Sequence, residues 1–147
     1  MGKKMVINTT YFNKEDKQII DDLVGKPFSM MQKIKMNGVG SKRMIVDEVS
    51  PNMISLMNTV SDLNYANMEL RPKGVLIMIN KGLKNYTWVI PYYQLVIYQS
   101  NGSSIHAQGR FIRFRENKTF KENKKFFGKL LDEKVKYDMA HGMPSDI

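Results

Sequence analysis

Histidine is the first residue to consider for catalysis or metal binding, because the chain contains no cysteine. The missing cysteines exclude disulfides, thiol nucleophiles and cysteine-based metal sites. His106 lies in a predicted strand and His141 lies in the terminal tail, and neither belongs to a recognisable ligand or catalytic motif. We interpret His106 as an ordinary strand residue, partly buried or on the surface. The histidines therefore predict no metal site and no catalytic base.

Paired carboxylates could act as a general acid and base, and this chain has four adjacent acidic pairs. They are Glu15-Asp16, Asp21-Asp22, Asp47-Glu48 and Asp132-Glu133. Neighbouring residues of a helix or strand point in different directions, so the two carboxylates of each pair diverge. We interpret all four pairs as solvated surface.

A glycine-rich segment could cradle a phosphate, and Gly38-Val-Gly40-Ser-Lys42 is the candidate. It lacks the spacing of a P-loop and no strongly apolar strand precedes it. We interpret it as a turn. Together with the histidines and the acidic pairs, this segment predicts a protein that is not an enzyme, with no catalytic residue and no cofactor.

Positive charge is the remaining functional signal. The formal net charge is +9, and residues 70 to 115 contain seven basic side chains but no Asp or Glu. Alternation along a strand places Arg113 and Arg115 on one face, with Ile112 and Phe114 on the other. A cationic sheet face could bind phosphates or carboxylates, or it could simply keep the sheet soluble. The candidate ligand-binding residues of this face are Lys73, Lys81, Lys84, Arg110, Arg113 and Arg115.

Aromatic residues are interleaved with this charge, a combination found in proteins that stack the bases of single-stranded nucleic acid. The aromatic residues are Tyr86, Trp88, Tyr92, Tyr93, Tyr98 and Phe111. Trp88 shares its face of the strand with Tyr86 and Ile90, and this spacing favours a core position. Nucleic-acid binding is therefore kept as an alternative function.

The first half of the chain predicts one helix followed by strands. Asn13 is a good helix N-cap, and apolar residues recur at helical spacing as far as Val24, so a helix is predicted over 13–24. Alternating polarity predicts strands over 30–36, 44–49 and 53–60, and a further strand over 65–70 that reaches Pro72.

The second half predicts an antiparallel meander and a final helix. The meander consists of strands at 75–79, 86–90, 93–98 and 104–115, which are rich in β-branched and aromatic residues. Lys81-Gly82 and Asn101-Gly102 have the chemistry of hairpin turns. The final helix is predicted over 117–137, capped by Asn117 or Thr119, with Gly128 interpreted as a site of close packing on the sheet. Residues 138–147 are predicted to form a flexible tail.

Two segments of the meander carry a family resemblance. Arg71-Pro-Lys-Gly-Val-Leu-Ile-Met-Ile is followed by Trp88-Val-Ile-Pro-Tyr-Tyr-Gln-Leu. With the final amphipathic helix, they resemble the bacterial pleckstrin-homology-like (PH-like) domains over residues 53 to 137. The resemblance implies a strongly curved antiparallel sheet or open barrel with a C-terminal helix. The helix at 13–24 departs from that pattern.

The expected fold is therefore a single α+β domain over 1–147, with about six or seven antiparallel strands mainly within 28–116. No apolar run is long enough to span a bilayer and the start lacks the apolar run of a signal peptide, so a cytoplasmic protein is expected. The abundance of Lys, Asn, Ile and Tyr favours a bacterial source. The expected function is a binding module for an acidic protein partner or an anionic head group, with peripheral membrane contact left open. Nucleic-acid binding and a small enzyme are the alternatives, and the oligomeric state is undecided.

Overall fold

A computed structural model describes residues 5–58, 63–99 and 103–142, and within them the chain is an α+β fold. Eight antiparallel strands form one sheet in the order β1-β5-β4-β3-β2-β8-β7-β6. The strands are β1 (Val6–Asn8), β2 (Met44–Val49), β3 (Asn64–Arg71), β4 (Gly74–Lys81), β5 (Lys84–Pro91), β6 (Val96–Tyr98), β7 (Ser104–Ala107) and β8 (Arg110–Phe114). The helices are α1 (Lys14–Val24), α2 (Met30–Lys35), α3 (Lys118–Glu122) and α4 (Lys124–Ala140). This confirms the fold class, with more strands than expected and with the sheet open between β1 and β6 in the part described.

The predicted N-terminal helix is confirmed. The Asn13 side chain accepts a hydrogen bond of 2.8 Å from the backbone N–H of Asp16, and the Asp16 side chain accepts one from the Asn13 backbone N–H. This reciprocal cap satisfies two donors that the first turn leaves free. The helix buries Ile20 and Val24 against Leu76 and Val89 on one face of the sheet.

The larger core lies on the opposite face of the sheet. Strict alternation along β4 directs Val75, Ile77 and Ile79 to this side. Trp88 is fully buried there, as the sequence predicts. Helix α4 covers this face with Phe126, Phe127 and Leu130, which completes the core.

Arg71 is a buried cation that ties α1 to the sheet. Its guanidinium donates to Asp21 Oδ1 at 3.1 Å, to the Gly25 carbonyl at 2.9 Å and to Glu69 Oε2 at 2.7 Å. The Tyr92 hydroxyl donates to the Arg71 carbonyl at 2.9 Å. The hydrogen bond from Lys17 and that from Arg71 together lower the pKa of Asp21 against the opposing effect of burial. We call Arg71, Asp21, Gly25 and Glu69 the arginine clamp.

Two predicted strands in the first half are wrong. Residues 30–35 form helix α2, because Ser29 and Gln32 cap each other reciprocally and start a helical turn. Residues 51–56 form a 3₁₀ helix, because Pro51 sets the backbone angle of its first turn. Residues 59–60 of that predicted strand lie outside the described residues.

The meander is confirmed in outline but divided differently. Residues 104–115 hold two strands rather than one, because Gln108 and Gly109 both take positive φ and turn the chain back. Tyr92–Gln94 is a 3₁₀ turn after Pro91, so β6 begins only at Val96. The Lys81-Gly82 turn closes the β4–β5 hairpin as predicted, and the Asn101-Gly102 turn lies outside the described residues.

The C-terminal helix is broken once and ends later than predicted. Asn117 caps α3 by accepting from the Phe120 N–H at 3.1 Å, and buried Asn123 separates α3 from α4. The Asn123 amide holds both backbone groups of Lys42, at 2.8 and 3.2 Å. Helix α4 runs to Ala140, so the predicted tail is helical at its start, and His141 stacks on Tyr137 at 3.9 Å between ring centroids. Residues 143–147 lie outside the described residues.

Gly128 does not mark close packing on the sheet, contrary to the sequence-based interpretation. No atom lies within 4 Å of the position that its Cβ would take, and its backbone is helical. Because glycine in a helix costs about 1 kcal/mol relative to alanine, Gly128→Ala is expected to raise the free energy of unfolding by about 0.5–1 kcal/mol. Urea denaturation followed by far-UV circular dichroism measures this change. A lower free energy of unfolding would show that the added methyl group clashes with a neighbouring residue.

Candidate functional site

The three lysines of the predicted basic face do not come together. Lys81 and Lys84 face each other across the β4–β5 hairpin, whereas Lys73 lies in the turn before β4, at its other end. At ~3.3 Å per residue the two ends of β4 are roughly 23 Å apart. The Lys81 ammonium donates to the Ser55 carbonyl at 2.7 Å. One ligand would therefore have to span the sheet to contact all three.

The three arginines of that face are already engaged by other groups. Arg113 and Arg115 share the outer face, as predicted, but β2 lies beside β8 and brings Asp47 and Glu48 to them. Arg113 pairs with Glu48, and Arg115 Nε lies 3.2 Å from Asp47 Oδ1. Arg110 donates to the Asn52 carbonyl at 3.1 Å. Within the predicted face, the charges of Arg113 and Arg115 are thus neutralised within the molecule.

An aromatic group lies on the same outer face, across β6, β7 and β8. The Tyr98 and His106 rings meet edge to face with centroids 4.7 Å apart, and the His106 and Phe111 rings stack at 5.2 Å. Burial lowers the pKa of His106. Base stacking needs free ring faces, and here the His106 ring is already flanked by its neighbours. Trp88 and Tyr92, two other aromatics of the predicted set, are fully buried.

A second basic region lies in the first half of the chain, where sequence reasoning did not place it. Residues 23 to 46 contain five basic side chains and no Asp or Glu. Three of them, Lys26, Lys33 and Lys35, flank or belong to α2 and have no side-chain hydrogen bond or ion pair among the described residues. They are charges that a partner could still neutralise.

Helix α2 turns its apolar side outward. Met30, Met31 and Ile34 are 72%, 72% and 70% exposed, and α2 buries no residue. At about 100° per residue these three side chains span an arc of about 100°, with Lys33 beyond one edge and Lys35 beyond the other. We call Met30, Met31, Ile34, Lys33 and Lys35 the α2 surface.

Helix α2 is held against the domain by contacts at both of its ends. Phe28, before the helix, and Met36, after it, pack against the main core. Asn37 and Gly38 then take positive φ and end the helix. The Lys129 ammonium of α4 donates to the carbonyls of Asn37 and Gly38 at 2.8 and 3.1 Å. The backbone that follows α2 is therefore held by α4, in which Lys125 is one turn before Lys129 on the same side.

The signal that could have revealed the α2 surface is local. The spacing Ser29-x-x-Gln32 is a capping box, and it predicts a helix start at Met30. A helix of this composition has its apolar residues on one side and lysines at both margins. The polarity also alternates at Met30, Gln32, Ile34 and Met36. This alternation fits a strand equally well, and for that reason a strand is predicted in place of the helix.

The described residues hold few groups that converge for chemistry. Across 5–58, 63–99 and 103–142, no group of three or more His, Asp or Glu side chains could hold a metal ion. A half-open crevice of about 350 Å³ lies beside α4 and is lined in part by Phe120, Lys124, Phe127, Gly128 and Leu131. Comparison of the chain with protein-family models, with curated proteins and with solved structures finds no match.

Proposed function

We propose that this chain is a non-catalytic binding module that engages an anionic partner through the α2 surface. The observation that carries the proposal is a set of three lysines, Lys26, Lys33 and Lys35, around an outward apolar arc, with no side-chain partner in the described part of the chain. An anionic partner gains from these charges because no side chain among the described residues competes for them.

The contrast with the outer sheet face supports this choice. A ligand of Arg113 or Arg115 must displace Glu48 or Asp47, and so it must break one ion pair to form another. A ligand of Lys33 or Lys35 meets no such competitor among the described residues. The same anion would therefore bind the α2 surface with less loss of existing contacts.

A PH-like domain stays part of this proposal. An antiparallel sheet with a C-terminal helix on one face supports it, whereas α1, β1 and the open order of the sheet depart from it. None of the described helices has the length and apolar character needed to cross a bilayer. Nucleic-acid binding receives less support, because the aromatic group on the outer sheet face is occupied by mutual contacts.

Charge reversal on α2 tests the proposal. Lys33→Glu with Lys35→Glu is expected to weaken binding to immobilised heparin, a soluble polyanion, because each lysine near an anionic surface is worth about 1 kcal/mol. The loss should be at least about tenfold in affinity, seen as elution at lower salt.

The matched control is Lys73→Glu with Lys84→Glu. Both residues are exposed and without side-chain partners among the described residues, and the change in net charge is identical. The control should elute from heparin at nearly the same salt concentration as the unmodified protein. Equal losses in the two variants would mean that only net charge matters, and the α2 surface would have no special role.

A further inference from the structure

We infer that the anionic partner is a lipid bilayer, and that α2 inserts its apolar arc between anionic head groups. This inference rests on the proposed function, because it names the partner of the same surface. It places Met30, Met31 and Ile34 in the interfacial region and Lys33 and Lys35 at the level of the phosphates.

The apolar arc of α2 points away from the core of the domain. A surface helix of a globular domain normally turns its apolar stripe towards the core. Helix α2 does the reverse, and it leaves three large apolar side chains more than two thirds exposed side by side. In an interfacial helix that lies in the plane of a membrane, the apolar face enters the lipid and lysines occupy the polar margins.

Lysines border the apolar arc of α2. Lys33 and Lys35 lie at the two margins of the arc, and a lysine stem is long enough to keep its ammonium at the head groups while neighbouring side chains enter the lipid. Lys26 precedes the helix, and Lys129 of α4 contacts the residues that follow it, with Lys125 one turn before Lys129. The segment 23–46 contributes no acidic residue that would repel a phosphate plane.

The shape of the surface favours a bilayer over an acidic protein. The arc is the convex outer side of a short helix, and its methionine side chains are flexible and adapt to an irregular apolar medium. A protein partner would need an apolar cavity ringed by carboxylates in the correct register, whereas an anionic bilayer supplies apolar interior and negative charge together. Because Phe28 and Met36 hold α2 in place, docking does not require the helix to fold first.

The test is co-sedimentation with vesicles of phosphatidylglycerol and phosphatidylcholine, and with phosphatidylcholine alone. The variant Met30→Ser, Met31→Ser, Ile34→Ser keeps every charge and removes exposed apolar surface only. It is expected to lose roughly tenfold or more of its partitioning onto the anionic vesicles, while its elution from heparin stays unchanged. Binding of the unmodified protein should also persist in part at high salt, because apolar insertion is not screened.

The matched control is Tyr11→Ser, Ile54→Ser, Leu83→Ser, which removes three exposed apolar residues outside α2. Its partitioning should equal that of the unmodified protein, and circular dichroism should show both variants folded. If the α2 variant partitions like the unmodified protein, bilayer insertion is refuted. The proposed function would survive that result if Lys33→Glu with Lys35→Glu still loses heparin affinity, and a soluble acidic partner would then replace the bilayer.

Discussion

Gly74→Ala is expected to lower the free energy of unfolding by more than about 3 kcal/mol, or to prevent folding altogether. A Cβ at this position would lie 2.3 Å from the Ile90 carbonyl oxygen and 2.4 Å from Val24 Cγ1. The carbonyl belongs to the neighbouring strand β5, so it cannot move away without disturbing the sheet. Val24 belongs to α1, so the added methyl would also push that helix off the sheet.

Urea denaturation followed by the fluorescence of buried Trp88 measures this loss. Gly128→Ala is the matched control, because the same methyl group enters open space there. The two glycine substitutions should therefore have opposite signs. A loss below about 1 kcal/mol for Gly74→Ala would mean that β5 and α1 can separate from β4 at little cost, and the close approach would then not matter for the fold.

Arg71→Leu is expected to lower the free energy of unfolding by about 3 kcal/mol. The substitution removes the donor to Asp21, Glu69 and the Gly25 carbonyl, and it leaves the Asp21 carboxylate, 9% exposed, without its buried cation. Lys17 still pairs with Asp21 at 2.6 Å, but the loss of three donated hydrogen bonds from this nearly buried cluster costs more than the loss of a surface ion pair. Arg71→Lys should have a free energy of unfolding between those of the unmodified protein and Arg71→Leu, because a lysine keeps the charge but lacks the planar fork of donors.

Arg113→Leu is the control for charge loss at an exposed site. Arg113 and Glu48 are 40% and 53% exposed, so this change should cost less than about 1 kcal/mol. Acid tests the ion pairs of Asp21 with Lys17 and Arg71 together. The pKa of Asp21 is lowered in the folded state, so its contribution is present above its ordinary value and is lost as the pH falls through the folded value. If Arg71→Leu and Arg113→Leu cost the same, the clamp is not a stabilising element.

The elements that the sequence predicts well are those with strong local signals. Helix α1 has a capping residue, a first turn with carboxylates and a stripe of apolar residues, and the β4–β5 hairpin has two β-branched runs around a glycine turn. Local and tertiary preferences agree in both elements. Trp88 also lies where the pattern of its strand places it.

The missed elements are those where one pattern fits two structures. Residues 30–36 alternate in polarity but carry a capping box, and the hydrogen bonds of that cap determine the helix. In residues 104–115, β-branched and aromatic residues lie on both sides of the turn, and the positive φ of Gln108 and Gly109 divides the strand. No cue of composition marks a turn made by Gln-Gly as clearly as Asn-Gly would.

The candidate site could be predicted only in part, because charge pairing is a property of the fold. Arg113 and Arg115 lie more than 60 residues from Asp47 and Glu48 in the sequence, and the sheet order makes them neighbours. Adding charges along the sequence therefore overstates the basicity of the outer sheet face. The lysines near α2 keep their charge available, and the sequence shows no acidic residue from 23 to 46.

The position of β2 between β3 and β8 has a consequence for the order of folding. Strands β3, β4 and β5 follow one another through short turns, so their pairing closes small loops and costs little chain entropy. Pairing β2 with β8 instead joins Val46 to Phe114 across the whole of that meander. We expect the three central strands to form early and the β2–β8 ladder to close late, so the slowest step in refolding is the joining of the two halves of the sheet.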